Sequence, residues 1–282
     1  MPGSLGERKM TLTLRLTKEV RVPLDASCIS PDAFANKTLR EIGRLEIWEG
    51  SRRRPLKDAF EIEGVSMKSP DEVTINLCGD LSKAQRIGAK MTGGSINIRG
   101  CAGMHTGEEM QGGQIIVEGS AGSWLGSRMK GGIIEVKRDA GDYVGAPYWG
   151  STTGIKGGTI HIHGNAGSEV GAHMGKGLIK VDGSVRQFVG IHQKGGIILV
   201  RGSAGERVGA YMISGKIVIC GSVSAILPTF SIDSVKSKTK IDGDTVNEPF
   251  YLFVGDQAEG GMGKLYVSKS KNMHLEKYEK LL

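Results

Sequence analysis

Two histidines recur at one position of a repeated sequence in a way that would place them side by side. His173 and His192 are 19 residues apart, and Glu109, Arg128 and Tyr211 occupy the same position in other repeats. If equivalent residues stack, the two imidazoles lie close enough to share a metal ion or an anion. A catalytic zinc usually takes three protein ligands, and no third ligand is evident here. A stacked polar column on an exposed edge is therefore the alternative.

A second pair of histidines flanks an apolar residue. His161 and His163 both point outward if Ile162 is buried in a strand, and two outward imidazoles could ligate a metal ion. An exposed H-x-H pair alone does not define a site, and the sequence has no G-x-S-x-G, P-loop or H-E-x-x-H motif. The sequence therefore assigns no catalytic, cofactor-binding or metal-binding residue.

Lysines recur directly before glycine pairs. Lys130, Lys156 and Lys194 hold this position in three repeats. Stacking would line them into a positive stripe suited to carboxylate groups. Ordinary solvated charge is the alternative.

One repeat carries a seven-residue insertion with two adjacent aromatic side chains. It falls within 146–155, A-P-Y-W-G-S-T-T-G-I. Insertions in repeat proteins leave the stack as loops and often carry contacts, and Tyr and Trp are enriched at interface hot spots. The alternative is a loop that covers its own core. The candidate contact residues are Tyr148, Trp149, Lys130, Lys156, Lys194, Arg128, His173 and His192.

These positions are set by a repeat that begins with a glycine pair. Successive starts are 19 residues apart, apart from one step of 26. A fixed period of this length indicates a solenoid. The pairs begin at Gly93, Gly112, Gly131, Gly157 and Gly195, and Lys176-Gly177 and Ser214-Gly215 are degenerate versions.

Within each unit, two β-branched positions flank one position of mixed type. This alternation predicts a short strand with one buried face. The fold class is therefore predicted as mainly β, a right-handed parallel β-helix of about 7–8 coils with a 19-residue repeat. Neighbouring coils would lie about 4.8 Å apart, with two apolar columns inside. The first column is Ile96, Ile115, Ile134, Ile160, Ile179, Ile198 and Ile217, and the second is Ile98, Val117, Val136, Ile162, Val181, Val200 and Ile219.

The repeat divides the chain into three predicted parts. Residues 1–72 form a small α+β N-terminal head, residues 73–228 form the β-helix, and residues 229–282 form a short C-terminal extension. Pro228 replaces a corner glycine and is expected to end the stack. The extension is predicted as a polar loop over 229–248, followed by two strands and a basic tail.

The head is predicted to contain short elements. Residues 1–10 are expected to precede the ordered part, and 11–16 alternate as a strand. Ser30 followed by proline predicts a helix over 31–36. The arginines at 52–54 are expected in a turn between two further strands.

Composition limits the class of function. The net charge of +7 favours an acidic partner or an anionic ligand, but the basic clusters lack the interleaved aromatic residues of a nucleic-acid module. No apolar run of 18 residues is present, and the first residues do not resemble a secretory signal. Four dispersed cysteines outside any C-x-x-C pair predict reduced thiols and a cytoplasmic protein.

The repeat resembles a known glycine-rich β-helix. The unit G-G-x-I-x-V-x-G-x-A-G-x3-G-x-x-M is similar to the C-terminal GXGXG β-helix of glutamate synthase. It is more closely similar to the family of the C subunits of formylmethanofuran dehydrogenase. The closer resemblance extends beyond the repeat into the head and the tail, which makes it more specific. The matching segments are S-P-D-A-F-A-N-K at 30–37, R-L-E-I-W-E-G at 44–50, F-E-I-E-G-V at 60–65, F-V-G-D at 253–256 and G-K-L-Y-V at 263–267.

The resemblance implies a role inside a larger assembly. Complexes of that family use CO2, methanofuran and reduced ferredoxin to make formylmethanofuran, the first step of methanogenesis from CO2, and they also run in reverse. It implies a tungsten or molybdenum pterin site in the B and D subunits, a dinuclear metal site in the amidohydrolase-like A subunit, and iron–sulfur clusters in ferredoxin-like subunits. This chain would then be a scaffold with no cofactor of its own and no catalytic residue.

Two alternatives stay open. The related bacterial formyltransferase/hydrolase complex uses a similar C subunit, which partners and metal content would distinguish. The other alternative is a free-standing β-helix enzyme or a glutamate-synthase-type domain. A 19-residue glycine-paired unit fits neither the 18-residue coils of hexapeptide acyltransferases nor the irregular coils of polysaccharide lyases.

Overall fold

The computed structural model describes residues 11–65, 67–241 and 243–282, so the expectation about residues 1–10 lies outside the described residues. The helices are α1 Pro31–Phe34 and α2 Leu39–Ile42, with 3-10 helices at Leu56–Asp58, Pro70–Glu72, Gln257–Glu259 and Met273–Leu281. The strands are β1 Thr11–Leu16, β2 Leu24–Asp25, β3 Glu46–Glu49, β4 Arg52–Pro55, β5 Phe60–Gly64, β6 Thr74–Cys78, β7 Ala84–Gln85, β8 Ser95–Arg99, β9 Gln114–Val117, β10 Ile133–Val136, β11 Thr159–Ile162, β12 Leu178–Val181, β13 Lys194–Val200, β14 Ser214–Ile219, β15 Ser231–Lys236, β16 Thr239–Ile241, β17 Asp244–Val246, β18 Phe250–Gly255 and β19 Gly263–Ser268.

Parallel strands from successive units form the centre of the described structure. Their order is β6-β8-β9-β10-β11-β12-β13-β14, and the register places equivalent repeat positions opposite each other, as with Ile134 and Ile160. Both predicted apolar columns are fully buried along their whole length. The structure therefore confirms a mainly β fold with a parallel sheet and internal columns. The handedness of the winding and the number of coils stay predictions.

Each unit also bonds to the next at two further places. Isolated parallel bridges join Ala102 to Ala121 and Ala121 to Ala140. Past the following turn, the amide of Gly126 donates to the carbonyl oxygen of Thr106 at 2.8 Å, and this bond recurs in later units. Hydrogen bonding at three places around the unit stacks the repeat along an axis, so stability is a sum over neighbouring units.

The corner glycines are required by the isoleucine column. Gly126 has a φ of +60°, and a Cβ added there would lie 2.5 Å from Cδ1 of Ile160, two units further along the chain. A side chain at this corner would both strain the backbone and displace the buried isoleucine. This close approach explains why a glycine, and not a larger residue, stands at this corner in so many units.

The strand ladder continues past both ends of the repeat. β1 adds in parallel to β6, with Leu12 opposite Ile75, and β19 adds in parallel to β14, with Leu265 opposite Ile217. The end of the repeat stack at Pro228 stays a prediction, although the sheet itself continues beyond it through β19. Antiparallel strands then cover the outer edges, β5 on β1 and β18 on β19, which blocks open parallel edges that would otherwise pair with other chains.

The head contains the predicted elements with two corrections. Helix α1 begins after Ser30, whose side chain accepts a hydrogen bond from the amide of Ala33, and it is shorter than the predicted 31–36. The arginine run at 52–54 lies in β4, paired with β3, and does not form a turn. Ion pairing explains the difference, because Arg54 bonds Glu49 across the pair at 2.9 Å.

The prediction of a polar loop over 229–248 was wrong, because β15, β16 and β17 lie there. β15 pairs with β18 and so extends the main sheet beyond β19, whereas β16 and β17 form a separate two-stranded sheet, which we call the C-terminal layer. A second apolar core forms beneath that layer, composed of Leu178, Leu199, Val218, Ile241, Phe250, Leu252 and Tyr266. The basic tail folds back onto β18 of the main sheet, where the Tyr278 ring meets Phe253 edge-on at 5.2 Å.

Candidate functional site

The turns that close the units carry two columns of large side chains in the left-handed backbone region. Values of φ lie between 57° and 65° in the first column and between 53° and 60° in the second. Non-glycine residues adopt this region at a cost of about 1–2 kcal/mol each, so they persist only where neighbours fix them. The first column is Arg86, His105, Trp124, Tyr143, Glu169, Phe188 and Arg207, and the second is Lys90, Glu109, Arg128, His173, His192 and Tyr211. We call these columns together with residues 146–155 the turn face.

The second column contains the stack that the sequence predicts. The rings of His173 and His192 are parallel within 9° at 4.6 Å, and Tyr211 continues the stack at 4.9 Å. Further along, Arg128 pairs with Glu109 at 3.0 Å. Burial lowers the pKa of His173, and the charges of His192 and Lys194 lower it further. Among the described residues, Nδ1 of His173 is buried without a hydrogen-bond partner.

The first column was missed by the sequence analysis. His105 stacks on Trp124 at 5.3 Å, and Trp124 stacks on Tyr143 at 4.5 Å. The available signal was a large residue between the Ala-Gly step and the next corner glycine of each unit. In the sequence these residues resemble ordinary surface residues, because their residue types do not indicate a positive φ.

The insertion loop places its two aromatic candidates, Tyr148 and Trp149, in different environments. The Tyr148 hydroxyl donates to Oε1 of Glu108 at 2.7 Å and lies 3.2 Å from Nδ1 of His105. Burial and the bond to Glu108 raise the pKa of Tyr148 to about 12. Trp149 instead is 80% exposed, with its ring edge-on to Tyr143 at 6.1 Å. Tyr148 thus fastens the loop to its own chain and Trp149 faces outward.

A recess of about 230 Å³ lies between the loop and the columns, lined by Tyr143, Trp149, Glu169, His173 and His192 with their neighbours. Small-molecule sites commonly enclose about 300–1,000 Å³, so this recess suits a single side chain better than a cofactor. Burial raises the pKa of the Glu169 carboxyl, and the nearby Asp142 raises it further.

The three candidate lysines do not form an unbroken row. A backbone hydrogen bond joins Lys156 to the unit that contains Lys130, so these two lysines lie in neighbouring units. The unit between Lys156 and Lys194 has Gly175 at the equivalent position, which interrupts the row. Lys130 lies 3.7 Å from Glu109, and Lys194 donates to the carbonyl oxygen of Thr152 in the insertion loop at 3.4 Å. Two of the three therefore contact the turn face itself.

No arrangement for nucleophilic catalysis occurs in the part of the chain that the structure describes. Histidine side chains there hydrogen-bond to carboxylates or to the Tyr148 hydroxyl, and none to a serine, threonine or cysteine. The four cysteines are unpaired, as predicted. Burial raises the pKa of Cys28 and of Cys220 to about 12, which disfavours their reactive thiolate forms. None of the described helices has the length and apolar character needed to cross a membrane.

Comparison with known proteins gives a relative that matches nearly the whole chain. The C subunit of the tungsten-containing formylmethanofuran dehydrogenase 2 of Methanothermobacter marburgensis is 55% identical over 260 residues, which cover 92% of this chain and 96% of that protein. The C subunit of the molybdenum-containing formylmethanofuran dehydrogenase 1 of Methanosarcina barkeri is 42% identical over 88 residues, 31% of this chain and 29% of that protein. The match to the corresponding tungsten enzyme subunit of Methanothermobacter wolfeii likewise spans only 33% of the relative.

A solved structure is similar over the same extent. A chain in the crystal structure of the formyltransferase/hydrolase complex FhcABCD of Methylorubrum extorquens, in complex with methylofuran, has a TM-score of 0.78 to this chain. The two are 29% identical, and the match covers 91% of this chain and 99% of the other. No family model matches the sequence.

Proposed function

This chain belongs to the family of the C subunits of formylmethanofuran dehydrogenase, and from this we propose that it is a non-catalytic scaffold subunit of a complex that interconverts CO2 and formylmethanofuran. The long relative at 55% identity supports the assignment. In this role the stack of units supplies a rigid surface, and the chemistry occurs in other subunits.

The observation that carries the proposal is the turn face. It combines a stacked row of aromatic, imidazole and guanidinium groups with one tryptophan, Trp149, that is 80% exposed. An exposed aromatic side chain beside a recess of side-chain size is the arrangement expected of an interface hot spot. Ring contacts hold these side chains in place before a partner binds, Trp149 against Tyr143 and Tyr143 against Trp124, which reduces the entropy lost on association.

The proposed partners are the subunits that hold cofactors. We expect a tungsten or molybdenum pterin in the B and D subunits, a dinuclear metal site in an amidohydrolase-like A subunit, and iron–sulfur clusters in ferredoxin-like subunits. The net charge of +7 suits acidic partner surfaces. Four unpaired thiols fit assembly in the reducing cytoplasm.

A second candidate is the C subunit of a formyltransferase/hydrolase complex. The TM-score of 0.78 to a chain of FhcABCD favours it. The two candidates differ in what accompanies the chain, because the dehydrogenase requires a pterin-bound metal for the redox step.

Purification of the tagged full chain from its native cells tests the proposal. We expect it to bring down both a pterin-metal protein and an amidohydrolase-like protein, with tungsten or molybdenum in stoichiometric amount. The same partners without either metal would favour the formyltransferase/hydrolase complex. Recovery of a lone chain would contradict both, and catalytic activity of that lone chain would establish a free-standing enzyme.

Replacing Trp149 tests whether the turn face is the contact surface. We expect Trp149→Ala to weaken partner binding by at least about tenfold, because a hot-spot aromatic contributes about 2 kcal/mol or more. Thermal stability should change little, since this side chain is exposed. Trp48→Ala is the matched control, because Trp48 is also exposed but lies in the head. Equal retention of partners by the two variants would place the interface elsewhere.

A further inference from the structure

Two histidines and a glutamate meet on the outer surface of the sheet, away from the turn face. Glu135 of β10 lies opposite His161 of β11, and His163 follows the end of β11. One ligand atom from each of the three lies within 4.8 Å of the others. We call this group the histidine–carboxylate cluster.

The donor set matches zinc better than a hard cation. Two imidazoles and one carboxylate are a common zinc ligand set, with metal–ligand bonds of about 2.0–2.2 Å. Donors on one tetrahedral zinc ion lie about 3.3–3.6 Å from each other, so side-chain rotations that close the present separations of up to 4.8 Å would complete the site. Magnesium and calcium prefer all-oxygen sites.

Asp182, directly after β12, orients both imidazoles. Its Oδ2 lies 2.8 Å from Nε2 of His161 and 3.2 Å from Nδ1 of His163. Arg201 holds the other oxygen of Asp182 at 3.1 Å. A carboxylate that bonds one nitrogen of an imidazole leaves the other nitrogen for a metal, which is the usual support for metal-ligating histidines.

One neighbouring charge competes with a metal. The Lys137 ammonium lies 2.6 Å from Oε1 of Glu135, the oxygen that also lies 2.8 Å from Nε2 of His163. A divalent ion would have to displace this ammonium from Glu135. Removing the lysine charge should therefore strengthen metal binding, a response that random surface histidines would not give.

We propose that the histidine–carboxylate cluster binds a zinc-like divalent transition metal. The ion links β10 to the segment that follows β11 and so clamps two neighbouring units across the sheet. The site is separate from the turn face, and it does not depend on the role proposed for the whole chain.

Titration of the chelator-treated full chain with Zn²⁺, and with Co²⁺ as a spectroscopic probe, tests the site. We expect one equivalent of Zn²⁺ to bind and Co²⁺ to give a spectrum with histidine ligands. His163→Ala should abolish this binding. Asp182→Asn should weaken it by about 10- to 100-fold, as loss of a supporting carboxylate does, and Lys137→Met should tighten it.

His173→Ala is the matched control, because His173 belongs to the histidine stack of the turn face and lies outside the cluster. We expect this variant to bind Zn²⁺ as the wild type does. The proposal is overturned if the wild type binds no stoichiometric Zn²⁺, or if His163→Ala retains the wild-type affinity. If His163→Ala does not fold by circular dichroism, Asp182→Asn and Lys137→Met decide, since an unchanged affinity in both would equally overturn it.

Discussion

At the scale of single residues, burial pushes two ionisable groups of the turn face toward their neutral forms. It raises the pKa of Glu169 and lowers the pKa of His173, and both side chains line the same recess. A low-dielectric environment disfavours charge on either type of group. The recess therefore suits an uncharged side chain of a partner, while the exposed arginines and lysines around it offer the long-range attraction.

The histidines of the turn face should make the fold sensitive to acid. Burial is the largest cause that lowers the pKa of His105 and of His173 below the ordinary 6.5. The unfolded chain then binds more protons than the folded chain just below that pH, so the free energy of unfolding falls as the pH falls through this window. We expect His173→Phe to lose less stability than the wild type between about pH 7.5 and about pH 5.5. Denaturant unfolding at both pH values measures the difference, and identical losses in the two proteins would show that His173 does not contribute.

At the scale of elements, one repeat position changes its environment along the stack. The residue between the two buried columns is half-exposed Ile116 in β9 but fully buried Val218 in β14. Ile241 of the C-terminal layer shares an apolar core with Val218, and β19 places Tyr266 beside Val218 in the sheet. Both neighbours are absent at Ile116. The sequence shows a trace of this in Leu199 and Val218, where most of the other units carry polar residues. β15, β16 and β17 were still missed over 229–248, because most of the residues in these short strands are polar and resemble a loop in sequence.

Introducing an asparagine at each of these two positions tests the role of the C-terminal layer. Val218→Asn buries an amide without a designed partner and removes apolar contact, and we expect a loss of about 3 kcal/mol or more in the free energy of unfolding. Ile116→Asn occupies the equivalent uncovered position and should cost about 1 kcal/mol. Thermal or denaturant unfolding of both variants measures the contrast. Comparable losses would mean that the C-terminal layer does not seal the outer face of β14.

At the scale of the whole molecule, the structural features that repeat can be predicted from the sequence, whereas those that occur once cannot. The isoleucine column was predictable because buried positions recur at one phase, and Ile96 to Ile217 lie where that phase puts them. The additions of β1 and β19 were not, since each is a single non-repeated strand whose partner must be found across the fold. The same limit applies to the turn face. The histidine stack followed from spacing, whereas the outward position of Trp149 depends on a hydrogen bond from Tyr148 to Glu108 that spacing does not encode.

Destabilising one unit of the stack should unfold that unit and its direct neighbours before the rest. Ile160 lies fully buried in β11, between Ile134 and Ile179 of the neighbouring strands. Burying a carboxylate at this point should cost more than about 4 kcal/mol. Because each unit contacts only its neighbours, we expect Ile160→Asp to abolish hydrogen-exchange protection in β10, β11 and β12 first, with β1 and β19 least affected.

The adjacent substitution Thr159→Asp is the control for that experiment, because Thr159 sits on the same strand but is only half-buried. We expect it to leave exchange protection close to that of the wild type. Protection lost equally along the whole ladder in Ile160→Asp would show that the stack unfolds as one cooperative unit. An unchanged melting temperature would show that the isoleucine column does not hold the units together. The graded loss is expected because hydrogen bonds and buried contacts in this fold join each unit to the next and not to distant ones.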